Sequence, residues 1–558
     1  MHMSDLKELI LKIALENAVK YGGKCEVGSI IGRLIGEKPD IKPKLKEISK
    51  DVKKIADEIN KLKAEEQVKR LLKIDPKALE PKEKIVEERK LPELPNAVKG
   101  KVLMRIAPYP SGPLHIGNAR QAILNDEYCK LYNGKLLLVI DDTIGSEEKN
   151  ILKEAYDLIP DGLRWLGADF DKKIIYKSDR LEIYYKHAEE LIKKNAAYIC
   201  KCDSERLRGN RAKMIECECR KQPSSETLKL WKEMFKAKEG SMALRIKTSM
   251  QHPNPAFRDR VLFRISDREH PRIGKKYRIW PLLEFSWAID DYLLGISHVI
   301  RGKELMIESD MERFIWDIFK WKGPELLHTG LLQIEGIKLS KSKSKQEVLS
   351  GKYFGWDDPR TFSLQSLARR GIRPEAIRNF LMSLGMNQTE IKVPIDTLYM
   401  ENKKIIDKKA NRYFMMLNPR LIKIKNAPKM NIKAPIYPDM KDEANMKRKF
   451  ATGDEFLVDE DVGDGVYRFM HLFNFKNKSF ISAEHDSKLN AKMIDWLPSS
   501  KDLVNVEVMM PDGTIAKGKG ESNLKDVKVD DMVQFERKFF ARCDEAKGNV
   551  MKFWFAHR

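Results

Sequence analysis

Over 558 residues the chain carries 105 Lys and Arg against 83 Asp and Glu, a formal charge of +22, and 42% of it is hydrophobic. This length and apolar share imply several domains with real cores, and a basic excess spread along the chain favours a polyanionic partner, RNA or DNA first. No apolar run is long enough to span a bilayer, the start "MHMSDLKELI" lacks a signal-peptide core, and seven cysteines, an odd number, argue against a disulfide scaffold, so a cytoplasmic protein without membrane contact is expected.

Residues 1–98 are rich in Lys and Glu. Leu6, Ile10 and Ile13 begin an amphipathic helical pattern, which the glycines of "YGGKCEVGSIIGRLIGEKPD" interrupt. A second charged helix follows, and "ALEPKEKIVEERKLPELPNAVKG" has the composition of a linker, so this part reads as a helical appendage. From 99 onward strands and helices alternate. "KVLMRIAP" (101–108) is a short buried strand stopped at Pro108, and "YPSGPLHIGNARQ" (109–121) is a turn running into a helix. In that helix Ala119, Ile123 and Tyr128 stand near helical spacing, with Asn118 as the expected N-cap and Gly134 as the stop. The first free N–H groups of such a helix form an anion site, where Gly117 lets a phosphate approach the backbone and His115 and Asn118 can donate to it. Taken alone, the turn fits a packed or capping histidine equally well. "LLLVID" (136–141) is the next strand, and it delivers Asp141 and Asp142 at the carboxyl end, where ligands of open α/β sheets gather.

The pairs Cys200-x-Cys202 and Cys217-x-Cys219 can close a tetrahedral thiolate site around Zn2+, and with no histidine or carboxylate to leave an open position its role is structural. Cys25, Cys129 and Cys543 read as ordinary thiols. Alternation resumes near 276 through "WPLLEFSWAIDDYLLGISHVIRG", so a parallel sheet interrupted by the cysteine-bearing insertion is the economical picture. Next, "IEGIKLSKSKSKQEV" (334–348) places Lys338 and Lys341 in a short loop with Gly and Ser. Such a loop suits a polyphosphate whose negative charge grows as pyrophosphate departs. Alone it is a solvated basic loop; paired with 111–118 in the other half of one sheet it is far more specific. Beyond about 398, "LVNVEVMM" alternates Val504, Val506 and Val508 with Asn505 and Glu507, and "MVQFERKFFARC" and "VMKFWFA" are strand-like, so antiparallel barrels are expected. "KGKGE" (517–521) lacks the flanking strand and helix of a phosphate loop and is set aside.

Together these motifs resemble the class I aminoacyl-tRNA synthetases: "HIGN" is similar to their HIGH signature and "KLSKS" to KMSKS. The resemblance narrows to the glutamyl/glutaminyl subgroup through "RIAPYPSGPLHIGNAR", "IDDT" (140–143), "HVIRGKE" (298–304) and "GWDDPRTFSLQSLARRGIRPEAIRNF" (355–380), while "NKKIIDKKANRYF" (402–414) resembles archaeal-type glutamyl members. It covers nearly the whole chain and is weakest over 1–98. It implies a Rossmann-type catalytic domain in two halves, 99–197 and 276–349, split by a zinc-bearing acceptor-binding insertion over 198–275. A helical stem-contact region over 350–398 and an anticodon-binding region of β-barrels over 399–558 complete it, in a monomer. The implied reaction joins L-glutamate to ATP, with Mg2+, as glutamyl-adenylate and passes the acyl group to the terminal adenosine of tRNA-Glu; tRNA-Gln as a second acceptor stays open.

Carried over residue by residue, His115, Asn118, Lys338 and Lys341 stabilise charge on the transferring phosphate, and Pro108, Ser111, Gly112, Gly117, Leu339 and Ser340 complete the ATP contacts. Arg105 and Tyr109 contact glutamate, Asp141 takes its α-ammonium, and Arg301 grips its side-chain carboxylate. The glutaminyl relatives hold a small uncharged residue at the last position, and a bidentate guanidinium suits a carboxylate where a neutral amide would leave charge unpaired in a dry pocket; an arginine salt-bridged within the fold is the plain alternative. Asn118 departs from the second histidine of HIGH, Val139 from a common arginine, and Leu283 from a common tyrosine. A glutaminyl enzyme and a non-catalytic RNA-binding protein on a synthetase scaffold are the other readings.

Overall fold

The computed structural model describes residues 3–20, 23–37, 45–76, 78, 91–146, 150–337, 341–437, 448–547 and 550–558. The chain forms two compact units, Met1–Glu88 and Arg89–Arg558. Within the first, helices Met3–Lys20, Val27–Glu37, Leu45–Ile59 and Ala64–Ile74 enclose a core that includes Ile10, Ala14, Ile30, Leu34, Val52 and Leu71. The glycine-rich stretch does interrupt the first helix, which ends at Lys20, with residues 23–26 not helical, but the remainder of the stretch forms a second helix, Val27–Glu37, with Gly28 and Gly32 inside it. Ile30 and Leu34, one turn apart, are both buried, and that burial outweighs the propensity cost of Gly28 and Gly32. The turn is left to Gly23, at φ 97°. Most of the expected linker, residues 79–90, lies outside the described residues.

The second unit is built on strand Leu103–Ile106, which is parallel to Lys135–Ile140 on one side and to His298–Gly302 on the other. Ile175–Tyr176 and Glu325–Thr329 form the outer strands of this five-stranded parallel sheet. The order of strands reverses between Leu103–Ile106 and His298–Gly302, so a crevice opens at their carboxyl ends. Helix Ile116–Leu131 packs Ala119, Ile123 and Tyr128 into the core. Its expected stop moves by one residue: Asn133 takes the left-handed turn at φ 50°. Gly134 serves close packing instead, because a Cβ there would lie 2.4 Å from the Val102 carbonyl oxygen.

Between the third and fourth parallel strands the chain leaves the sheet for helix Leu181–Lys193. It then builds a four-stranded antiparallel sheet of Ala197–Cys200, Ala243–Ile246, Val261–Ile265 and Ile279–Pro281. Trp231, Phe263 and Trp280 fill its core. Helices Leu364–Arg369, Pro374–Ser383 and Asp396–Ile406 follow the parallel sheet. The C-terminal part contains a seven-stranded sheet whose two edge strands, Asn411–Tyr413 and Met415–Leu417, are separated in sequence only by Phe414. One continuous run therefore closes that sheet into a barrel around Val504, Val506 and Val508. A second, barrel-like set of short strands surrounds Phe456, Phe469, Phe475 and Trp496. Wholly buried Arg448 donates to Glu521 and Glu536 and packs its guanidinium 4.4 Å from the Phe414 ring centroid. Among the described residues no helix is long and apolar enough to cross a membrane.

Candidate active site

The turn after the first strand is ordered by a reciprocal cap. His115 is extended, at φ −108° and ψ 171°, and its Nδ1 accepts from the Gly117 N–H at 3.1 Å. Asn118 Oδ1 accepts from the His115 N–H at 3.4 Å. The N-cap is therefore His115, not Asn118 as the sequence suggests. A cap needs an extended backbone and an acceptor that reaches forward into the first turn, whereas Asn118, already helical, makes the return bond of a capping box. Because Nδ1 accepts, a neutral His115 carries its proton on Nε2. The turn is backed from outside the sheet: the Leu364 N–H donates to the Leu114 carbonyl at 2.9 Å, and a Cβ on Gly112 would come within 3.0 Å of the Trp356 ring. Gly112 is there so that this indole can lie on the backbone.

At the strand-order reversal lies a cavity of about 340 Å³ whose lining includes Arg105, Pro108, Tyr109, Ser111, His115, Asn118 and Arg301. The tertiary structure thus brings seven of the predicted positions into one wall. Gly112 and Gly117 belong to the same turn but not to that lining, and buried Asp141 is not part of it either. Lys338, Leu339 and Ser340 lie outside the described residues, as does the side chain of Lys341, where helix Lys341–Leu349 begins. A larger cavity, about 780 Å³, lies between Trp165, Trp356, Arg369 and Arg542 and contains none of the predicted residues. The smaller one is the better candidate, because polar groups from both halves of the sheet converge there at a helix N-terminus.

The electrostatics of the smaller cavity rest on buried ion pairs. Arg105 donates to Asp291 through Nε at 2.5 Å and Nη2 at 2.8 Å. Arg301 donates to Glu312 at 2.8 and 3.0 Å and to Ser309 Oγ at 2.6 Å, and Ser309 Oγ lies 2.7 Å from His328 Nε2. Arg301 is thus salt-bridged within the fold and part of the cavity wall at once. Lys177 is fully buried; its ammonium stands 3.3 Å from Asp141 Oδ1 and donates to Ser286 Oγ at 2.8 Å. Burial pulls the Lys177 ammonium below its ordinary range against the opposing pull of Asp141, and pushes the Glu312 carboxyl up against that of Arg301. Burial also takes His328 down to about 4, with the Arg301 charge adding to it. Asp142 accepts from the Ser178 N–H (2.8 Å), Ser178 Oγ (2.7 Å) and Tyr156 Oη (3.0 Å), which anchors the end of the second strand.

Sequence reasoning missed Lys177, Trp287, Asp291 and Glu312. A signal existed for Asp291: two adjacent carboxylates, Asp290 and Asp291, interrupt an apolar helix in "FSWAIDDYLL" and are unlikely companions there without cations. Lys177, in "IIYKSDR", carries none and reads as surface.

At the end of strand Ala197–Cys200 the four predicted cysteine sulfurs, of Cys200, Cys202, Cys217 and Cys219, lie within 4.8 Å of one another. Cys200 ends strand Ala197–Cys200, while Cys217 and Cys219 bracket the start of the turn Glu218–Lys221. Arg245 Nη1, 3.7 Å from Cys200 Sγ and 3.8 Å from Cys217 Sγ, favours thiolate there.

A family model described as the catalytic domain of class I (E and Q) tRNA synthetases matches residues 101–408, and one for the anti-codon binding domain of the same class matches 479–544. The first match spans the parallel sheet, its insertion and the helices beyond; the second falls in the barrel region. The chain belongs to this family. Its relatives among curated proteins include a glutamate–tRNA ligase of Methanobrevibacter smithii, 41% identical over 567 residues and covering 100% of both chains. Another, of Methanocaldococcus jannaschii, is 41% identical over 566 residues, 99% of this chain and 100% of the other. A third, of Pyrococcus abyssi, is 40% identical over 576 residues with the same coverage, 99% and 100%. In this synthetase the HIGN turn, the two buried arginines and the strand-order reversal therefore share one place.

Proposed function

We infer that this synthetase joins L-glutamate to tRNA. The observation that carries the reading is the presence of Arg105 and Arg301 in the wall of the cavity that His115 and Asn118 also line, and the full-length likeness to glutamate–tRNA ligases supports it. ATP enters as its Mg2+ complex. One oxygen of the glutamate α-carboxylate attacks the α-phosphorus; the bond to the β-phosphate oxygen breaks, pyrophosphate leaves, and glutamyl-adenylate remains. A ribose hydroxyl of the terminal adenosine then attacks the acyl carbon, AMP leaves, and the hydroxyl proton passes to solvent or phosphate. The protein contributes position and charge. Pro108, Ser111, Gly112 and Gly117 shape the phosphate side, His115 Nε2–H and Asn118 donate to it, and the loop of Lys338, Leu339, Ser340 and Lys341 meets the charge that grows on the departing pyrophosphate. Arg301 takes the side-chain carboxylate, Arg105 and Tyr109 flank it, and Asp141, which also holds the Lys177 ammonium, attracts the α-ammonium.

The four thiols fit Zn2+ in number, donor type and mutual distance. Bound by Cys200, Cys202, Cys217 and Cys219, the ion would cross-link the loop between Cys200 and Cys219 in an insertion that steadies the acceptor end. Metal analysis of protein purified without chelator is expected to find about one zinc per chain; none would end this part of the proposal. We place the protein in the cytoplasm as a monomer. Aminoacylation with purified tRNA-Glu and tRNA-Gln, each with glutamate and with glutamine, tests the whole: glutamate on tRNA-Glu is expected, glutamine alone would overturn it, and the tRNA-Gln arm decides the second acceptor.

A further inference from the structure

Trp356 is not part of the lining of the smaller cavity, yet it touches the turn that lines it. A Cβ on Gly112 would meet three atoms of this indole, Cη2 at 3.0 Å, Cζ3 at 3.4 Å and Cζ2 at 3.5 Å, so the far edge of the six-membered ring lies against the Gly112 backbone. Gly112 belongs to the run that supplies Ser111, Leu114, His115 and Asn118 to the cavity wall. The indole is half-buried, lines the larger cavity and, among the described residues, joins none of the apolar cores. Its packing therefore serves the turn more than the interior. The backbone that carries the ring is itself fixed. The Trp356 carbonyl accepts from Ser363 Oγ at 2.5 Å and from Thr361 Oγ1 at 2.9 Å. Ser363 Oγ also accepts from the Ser366 N–H at 2.9 Å, which caps helix Leu364–Arg369, and Ser363 forms an antiparallel bridge with His115. Next in the chain, Asp357 accepts from Arg369 Nη1 at 2.6 Å. One helix cap thus holds the turn twice, at His115 through the main chain and at Gly112 through the Trp356 ring.

We propose that Trp356 is a positioning residue for adenylate formation: its ring edge holds the Gly112 backbone, and with it His115 and Asn118, where the transferring phosphate needs them. The inference rests on the reading of this turn as the phosphate site and deepens it. Because Trp356 does not line that cavity, its effect on substrate passes through the turn. A rigid apolar ring suits the task. It packs against the backbone without taking any N–H group that the phosphate would use, and glycine at 112 lets it come close. Precision of this kind matters because a misplacement of about 1 Å at a reacting group costs on the order of a hundredfold in rate. Reach matters too: a phenyl ring on the same Cβ stops short of the place that Cη2 occupies, so it keeps the near packing and loses the contact with Gly112.

Trp356→Phe is therefore the test. In single-turnover measurements with tRNA present, this variant is expected to form adenylate about ten- to a hundredfold more slowly, while its KM for glutamate stays as in the wild type. A wild-type rate overturns the proposal. So does a KM for glutamate that rises in step with the lost rate, because general loosening of the fold would move both, whereas a displaced phosphate turn moves only the rate. His115→Ala is run alongside. If His115→Ala slows adenylate formation and Trp356→Phe does not, the role of Trp356 is wrong and the phosphate site stands. If His115→Ala leaves the rate unchanged, the site reading itself falls. Should Trp356→Phe not fold, Trp356→Leu, whose side chain also stops short of Gly112, takes its place with the same expected and overturning results.

Discussion

Arg301 and Arg448 are the same residue in the same chemistry, a guanidinium buried on carboxylates, yet their surroundings differ. Arg448 donates through Nε to Glu521, through Nη2 to Glu521 at 2.7 Å, and through Nη1 to Glu536 at 2.9 Å and the Pro435 carbonyl at 3.1 Å. Every nitrogen of that group has a partner, and the groups it joins, Glu521, Glu536 and Pro435, each stand one residue past a strand of the C-terminal region. Arg301 commits its two terminal nitrogens to Glu312 and Ser309, its Nε has no hydrogen-bond partner among the described residues, and its side chain belongs to a cavity wall. A buried ion pair is therefore not evidence of function by itself; what sets Arg301 apart is that it also lines the cavity beside His115 and Asn118.

The widest test of this contrast is Arg448→Ala. It strands two buried carboxylates, and removing one partner of such a group costs about 3–5 kcal/mol. Thermal or urea unfolding is expected to show that loss, while the KM for glutamate of the folded fraction stays unchanged; a shifted KM would mean that the barrel joint reaches the active site. Arg301→Ala should behave in the opposite way. Truncating one member of a buried charged pair costs about 2–5 kcal/mol, read here as a fall in kcat/KM for glutamate of tens- to thousands-fold with little change for ATP. Normal charging of glutamate by that variant would place Arg301 with Arg448 as a joint.

Lys341, by this reading, belongs on the receptor side. If its charge is needed only as pyrophosphate departs, Lys341→Ala should lower kcat about a hundredfold and raise the KM for ATP much less. Single-turnover measurement of adenylate formation separates the two, and unchanged turnover would return the loop to solvated surface.

The smallest effects are in pH. His328, beside Ser309 and Arg301, is taken from 6.5 down to about 4. An unfolded chain binds that proton first, so the stability His328 contributes is present above about 6.5 and is lost as pH falls toward 4. Asp495, near Lys538, goes the other way, from 3.8 up to about 6, because burial outweighs Lys538 and Arg537. Here the folded chain holds the proton longer, so its contribution is present below 3.8 and is lost as pH rises through 6. His328→Gln and Asp495→Asn should each flatten one limb of the stability–pH curve, by about 1 °C to a few degrees in Tm. If His328→Gln left the acid limb unchanged, that histidine would not be the group titrating beside Arg301.

Much of this could be read from the chain alone because the signals are local. A strand stopped by Pro108, a turn with His115 and Gly117, and Ala119, Ile123 and Tyr128 at helical spacing lie within one short run, and a strand–turn–helix unit follows from near-neighbour sterics and burial. The alternation of Val504, Val506 and Val508 likewise announces a half-buried strand. The cysteine pairs stand in one segment, so their meeting needed only a short loop to close. What the sequence left undecided depends on distance along the chain. Which residue caps the helix at 115 turned on backbone angles, and whether the glycines of 22–36 break a helix turned on how much apolar surface they bury. That Arg105 meets Asp291 and that Lys177 lies on Asp141 are matters of partners 186 and 36 positions away, brought together by the tertiary fold. Side-chain type declares what a residue can donate or accept; only the tertiary structure decides which of those capacities the fold itself uses up and which it leaves for a ligand.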